Sequence, residues 1–529
     1  MKCSRLYLFL GATLLALSCR PDEMSGPGGG RYANLDALSH EQIVLGDQLE
    51  DPYSLDIMQQ SLEKLYSTKA GVPRLEVTDY YVRFLPVNDT QFKVLKLMDV
   101  NLLDHPLDYE IIREGDYYHD PSIAEGDITW QYAVVPRDFQ FPQDIRYEIL
   151  DRCFIPENTT TKASDVDWEA VEREAYRLSG NERMLLPRSK AGEESDGRPR
   201  GSIVIIDDKY NGGEPVGVSG VMVSVNSFVK FSSAYTDASG NYTIPKSFSS
   251  EIRYRLVFQN QKGFGIGVNL LLVPASVSTL GSGPASGINV LIDKDSERKL
   301  FSRCVANNAV YDYFVRCSRE DVTVTPPPAN LRLWLFQNLS SSSAPMLQQG
   351  SFLEGKLVEE YLGEYKGILS SFLPDITVGL KYQEDYSSIY NMVQHELAHS
   401  SHFVRVGTAY WNKYIKHVIS SFITSGMKVY GVGTEPDAGY CEVGEMWAYY
   451  MQNVLYRERY GNYISDLGTS FWFCPQILLY MDDRGITDSK IFTALRSTVT
   501  DRDKLQQALT DLYPENKYVI DQAFNRYLN

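Results

Sequence analysis

The stretch NMVQHELAHSSHF, residues 391–403, holds three of the chain's seven histidines and sets Glu396 directly after the first of them. His395 and His399 are four positions apart, so on an α-helix they project about 40° apart around the axis and one turn along it. Two imidazoles so placed can share one Zn²⁺. Glu396 beside the first can take a proton from an activated water and hand it to a leaving amine. His-Glu-x-x-His is therefore a pattern for metal-assisted hydrolysis, with His395 and His399 as metal ligands and Glu396 as general base. A catalytic zinc takes three protein ligands, so one more has to come from elsewhere. His402 returns to the same helix face, but a turn too far along.

The helix that must carry these residues is marked by DYSS at 385–388, which offers N-cap residues, and by Ile389, Val393 and Leu397 at helical spacing. PDITVGLKY, just before it, reads as a strand, expected at a sheet edge beside the cleft where an extended peptide could pair. Downstream, GYCEVGEMWAYYMQNVLY at 439–456 reads as a helix that places Glu442 and Glu445 three apart on one face. Either carboxylate could complete the site.

Two zinc-peptidase patterns can be compared with these residues. The metzincin run HExxHxxGxxH is not met, because His402 and Arg405 stand where the glycine and third histidine would be. EMWAYY instead resembles the E-x-W/F-A run that carries the third ligand in gluzincin-type peptidases. That resemblance implies Glu445 as the third ligand, with Glu442 the alternative, Zn²⁺ as the cofactor and a protein or peptide as the substrate. It also implies a group that stabilises the oxyanion, for which Tyr440, Tyr449 and His417 are near in sequence to the ligands.

At 529 residues the chain is long enough for about three domains. With 43% hydrophobic and 22% charged residues it has the composition of folded domains, not of a disordered chain. The net charge of −17 repels phosphate backbones and argues against nucleic acid as a partner.

Residues 1–19, MKCSRLYLFLGATLLALSC, read as a secretion signal, since the apolar run is about twelve residues and spanning a bilayer takes about twenty. The end of the run resembles a bacterial lipoprotein signal. That implies a lipidated Cys19, a flexible tether over 20–31, membrane attachment through the lipid alone, and residence in the cell envelope, facing the periplasm or the surface. Outside the cytoplasm the remaining cysteines could form disulfides, with Cys304–Cys317 and Cys441–Cys474 the natural guesses.

The expected architecture is multidomain α+β. Residues 32–180 mix helical text (DIMQQSLEKLY) with strands (YYVRFLPV, TWQYAVVP, RYEIL), predicting an antiparallel sheet with helices on one side. Within it HPLDYEIIREGDYYHDP, with His105 and His119, reads as a polar loop region. Residues 181–201 read as a linker. Residues 202–290 alternate apolar and polar residues between turn signals, which predicts an antiparallel β-sandwich. GSIVI, GVMVSV and TDASGNY in it resemble the carboxypeptidase regulatory-like, transthyretin-like domains, implying a structural or binding accessory. Residues 291–529 are expected to form a zincin-like, mostly helical domain with a small antiparallel sheet, an amphipathic helix over 355–373 and a loop at SSSSAP, 340–345. Three functions compete on this reading: a zinc metallopeptidase, a non-catalytic surface binding or adhesion lipoprotein built on a zincin scaffold, or a structural lipoprotein of an envelope assembly.

Overall fold

The computed structural model describes residues 42–66, 72–98, 100–115, 118–124, 127–159, 166–187, 197–267, 277–337, 340–351, 375–424, 430–464 and 466–527. The leader with Cys19, the tether, residues 188–196 of the linker and the expected helix 355–373 lie outside them. No helix among the described residues is long and apolar enough to cross a membrane.

The first part of the chain runs β1 (Val44–Gln48), α1 (Leu55–Tyr66), β2 (Asp79–Leu85), α2 (Asp89–Leu97), β3 (Tyr109–Arg113), β4 (Gln131–Pro136), β5 (Arg146–Cys153) and α3 (Trp168–Leu178). β2 is central in an antiparallel sheet of order β4-β2-β5, and β1 pairs with β3. Alternation along β2 and β4 sends Val82, Phe84, Ala133 and Val135 to one face, where they meet Leu95 of α2. Tyr81 and Tyr132 go to the other, with Tyr176 of α3. Helices therefore serve both faces, not the single face expected, because each face of β2 is apolar and both must be covered. The His105–His119 stretch is less loop-like than expected, since β3 lies inside it.

Next come β6 (Arg200–Ile205), β7 (Val216–Gly217), β8 (Met222–Ser227), β9 (Lys230–Tyr235), β10 (Asn241–Thr243), β11 (Ile252–Val257), β12 (Gly265–Ile266), β13 (Val277–Gly283) and β14 (Asn289–Ile292). They form one sheet of order β10-β6-β14, with β7 also on β6, and a second of order β13-β11-β8-β9. The buried faces of both, Ile203, Ile205, Val223, Val225, Tyr254 and Leu256 among them, share one core. Their pairing is antiparallel except for β14 against β6, which is parallel. The TDASGNY turn is closed by Asp237, whose Oδ1 accepts from the amides of Ser239 and Asn241. Gly240 there has φ +82°, and a Cβ would fall 2.1 Å from the Ile203 carbonyl oxygen, so no other residue fits. The last two residues of the expected linker, Arg200 and Gly201, already belong to β6.

The remainder comprises α4 (Arg298–Cys317), β15 (Arg332–Phe336), β16 (Ile376–Gly379), α5 (Tyr386–Val406), α6 (Thr408–Thr424), α7 (Ala438–Tyr460), α8 (Gln476–Asp482), α9 (Asp488–Ala494), α10 (Arg502–Leu512) and α11 (Lys517–Arg526). Its core is continuous with that of the two sheets, and β12 adds to its small sheet, in the order β12-β15-β16. That sheet is parallel, not antiparallel as expected. The antiparallel element is the SSSSAP segment: Ser343 pairs with Thr377 through two backbone hydrogen bonds of 2.8 and 2.9 Å. PDITVGLKY is consequently flanked on both sides and is not the open edge.

Cys304, Cys317, Cys441 and Cys474 are free thiols, as is Cys153. The Cys304–Cys317 guess fails because both residues lie on α4, where 1.5 Å of rise per residue puts them roughly 20 Å apart. Cys474 Sγ instead faces the Phe471 and Trp472 carbonyls, and Cys441 is buried in α7.

Candidate metal centre

α5 begins at Asp385, whose side chain accepts from the Ser388 amide and so closes the first turn. Ile389, Val393 and Leu397 bury one stripe of this helix in the core. α7 packs against it and is fixed in register by Trp447, whose Nε1 donates to the Ala398 carbonyl at 3.1 Å. The approach of the C-terminal segment to the start of α7 also depends on Gly439, where a Cβ would lie 2.3 Å from the Thr500 carbonyl oxygen.

This packing brings Glu445 to the two histidines. His395 Nε2 is 3.6 Å and His399 Nε2 3.5 Å from its carboxylate oxygens, and one donor atom from each of the three lies within 4.8 Å of the others. A tetrahedron with arms of about 2.1 Å, the length of zinc bonds to nitrogen and oxygen, has edges of about 3.4 Å. The donor set and its spacing fit that ion. Glu442 does not join the group: it holds Arg502, accepting from Nε at 2.7 Å, from Nη2 at 2.6 Å and from the backbone amide at 3.0 Å. The helix turn that separates the two acids gives each its own partner.

The groups around the three ligands hold them in place. Gln452 Oε1 lies 3.0 Å from His395 Nδ1, so a proton on Nδ1 can be held there when Nε2 is given to a metal. Tyr414 on α6 donates to Glu445 Oε1 at 2.6 Å. Burial pushes the His395 pKa down, against the pull of Glu445 and Gln452. Burial would raise Glu445, but the two histidines outweigh it and hold the carboxyl well below its usual range. Both shifts favour the deprotonated forms that bind metal. Replacing Gln452 with Leu is expected to weaken zinc binding about 10–100-fold with the fold intact, as read by competition with a chromophoric chelator.

Glu396 is fully buried on the same helix, as is His399. Of the three expected neighbours, Tyr449 stacks edge-on to His395 with centroids 4.5 Å apart. Tyr440 packs on Tyr410, and His417 faces the carbonyls of Pro436 and Tyr430. Gln452 and Tyr414 were not foreseen. Gln452 lies seven residues after Glu445, hence on its face of the helix, and that spacing was the available signal. Nothing near Tyr414 in the sequence marks it.

His402 sits between Tyr410 and Trp411 and is fully buried, and neither ring nitrogen has a hydrogen-bond partner among the described residues. Burial, with help from His399, pushes its pKa down to about 3. The unfolded chain takes up this proton near pH 6.5 while the folded chain refuses it until about pH 3. Stability therefore falls with acid across that window, by about 1.4 kcal/mol per pH unit from this group. His402→Leu should flatten the acid limb of the stability profile by that slope when denaturation is followed in the presence of a chelator.

No protein-family model matches the chain, and no curated protein matches it. Among solved structures, a 9R-lipoxygenase from Cyanothece PCC8801 is similar over 37% of this chain and 33% of its own, at 10% identity and a TM-score of 0.10. The chain thus spans about a third of that enzyme, and so low a score carries no argument about fold or function.

Proposed function

We propose that this chain is a zinc metallopeptidase of gluzincin-like type that hydrolyses peptide bonds of extracellular or periplasmic proteins. The observation that carries the proposal is the convergence of His395, His399 and Glu445, from two helices, with each imidazole 3.5–3.6 Å from the carboxylate, near the edge of a zinc tetrahedron. His395, His399 and Glu445 would hold the ion. When bound, zinc supplies Lewis-acid polarisation of the carbonyl and a lowered pKa for water. Glu396 accepts the proton of the attacking water and returns it to the leaving amine. Gln452 and Tyr414 keep the ligands oriented, and Tyr449 is the expected neighbour closest to the oxyanion role. An extended substrate that adds to the small sheet meets the 341–346 segment, since β16 is already flanked.

In this proposal the leader attaches the protein to the envelope through Cys19, and the two sheets of residues 202–290 form a transthyretin-like accessory domain between the N-terminal α+β domain and the zincin-like domain. The acidic surface disfavours nucleic acid. A second reading, a non-catalytic binding or adhesion lipoprotein on a zincin scaffold, is favoured by one observation: Glu396 and His399 are 0% exposed and His395 is 2% exposed. Zinc analysis of the purified protein with peptide-library profiling separates the two. The peptidase reading predicts about one zinc at this site and cleavage that chelation abolishes and zinc restores. Bound zinc with an uncut library would support the scaffold.

A further inference from the structure

A second convergence of ligand-type side chains lies in the N-terminal unit, away from His395 and its partners. One carboxylate oxygen of Asp51, one of Asp151 and the Sγ of Cys153 all lie within 4.8 Å of one another. We propose that Asp51, Asp151 and Cys153 form a structural site for a borderline-soft divalent cation, Zn²⁺ being the best match to two oxygens and a thiolate.

The backbone builds this cluster. Asp151 and Cys153 are two apart on β5, so they share one face of the strand, and they stand opposite Tyr81 and Asp79 of β2. A register shift between Tyr81 and Val82 leaves Leu150 without a partner and re-aims the end of β5, as bulges beside functional sites do. The Asp51–Ser54 turn is tied to that end by the Ser54–Cys153 bridge and by the Phe154 amide, which donates to the Tyr53 carbonyl at 2.9 Å.

Asp51 supplies the independent observation. Its residue exposure is 7%, and while Oδ1 accepts from the Tyr53 amide at 2.8 Å, Oδ2 is buried without a hydrogen-bond partner. A buried carboxylate oxygen left in that state is costly unless a proton or a cation satisfies it. The thiol beside it is 0% exposed and in no disulfide. Burial pushes all three groups up, and the mutual proximity of Asp51, Asp151, Asp56 and Asp108 adds to it. A cation that binds here must displace those protons and take the thiol as thiolate, so its retention should weaken as pH falls. Arg152, next along the strand, offsets Asp151 in part.

The test uses the full chain carrying His395→Ala and His399→Ala, so that its outcome is independent of the peptidase proposal. After equilibration with Zn²⁺ and dialysis, about one equivalent should remain. Adding Asp51→Asn or Cys153→Ser should lower the affinity more than about 100-fold, beyond the loss from an outer-shell partner. As a control for folding, Co²⁺ added to the otherwise unaltered chain should give a thiolate-to-cobalt charge-transfer band. Cys153→Ser should remove that band, and the His395, His399 and Glu445 set contains no sulfur to produce it. No retained zinc in the doubly substituted chain, retention indifferent to Asp51 and Cys153, or absence of the cobalt band would overturn the assignment.

Discussion

Glu396→Gln is expected to leave zinc bound in full and to lower peptide hydrolysis by about 10²–10⁴-fold, the range for loss of a positioned general base. The amide keeps the size of the carboxylate, and Glu396 is not one of the three clustered ligands, so metal content should not change. It has no basic lone pair to receive the proton of water. Zinc content and single-turnover hydrolysis measured on one preparation check both halves. Hydrolysis that survives would remove Glu396 from the mechanism, and zinc lost together with activity would make it a structural residue of the site.

Lys230→Met should destabilise the protein by about 3–5 kcal/mol, the cost of leaving a buried charge without its partner. Lys230 is 0% exposed, with Nζ 2.6 Å from Glu172 and 2.7 Å from Glu157. Glu172 also accepts from Ser249 Oγ at 3.2 Å. Burial opposes the charge on Lys230, but the two carboxylates prevail and raise its pKa. The lysine comes from β9 and both acids from the N-terminal unit, so the pair couples two parts of the chain. Tyr176 reinforces that junction through Ser227 and Ser250, at 2.6 and 2.9 Å. Denaturant unfolding of Lys230→Met and of Lys230→Met with Glu172→Leu checks this. The double variant should recover most of the loss, since no buried charge is then stranded. Equal losses in both would show that packing, not charge, holds the junction.

Local signals in the sequence were sufficient for the elements that carry the site. Ile389, Val393 and Leu397 at helical spacing after Asp385 define α5, and with it the shared face of His395 and His399. The same holds for α7, for β15 and β16, and for the Asp237–Gly240 turn, all set by residues within a few positions of one another. The small sheet is parallel where an antiparallel one is expected, because strand direction is fixed by the crossovers that bring β12, β15 and β16 together, and alternation within a strand carries no such information. The disulfide guesses failed because spacing along the chain says little about separation in space, and α4 turns thirteen residues into a rod.

What the sequence determined by itself is the chemistry available: two imidazoles and a carboxylate on one helix, and two acids on another. Which acid meets the imidazoles was decided in three dimensions. Glu442 and Glu445 are near-equivalent by spacing, and they diverge because Arg502 of α10 captures the first while the Trp447–Ala398 hydrogen bond sets α7 so that the second faces His395 and His399. Gln452, Tyr414 and the Asp51–Asp151–Cys153 cluster belong to the same class. Their roles arise from contacts between segments far apart in the chain, and periodicity reports only on neighbours along one element.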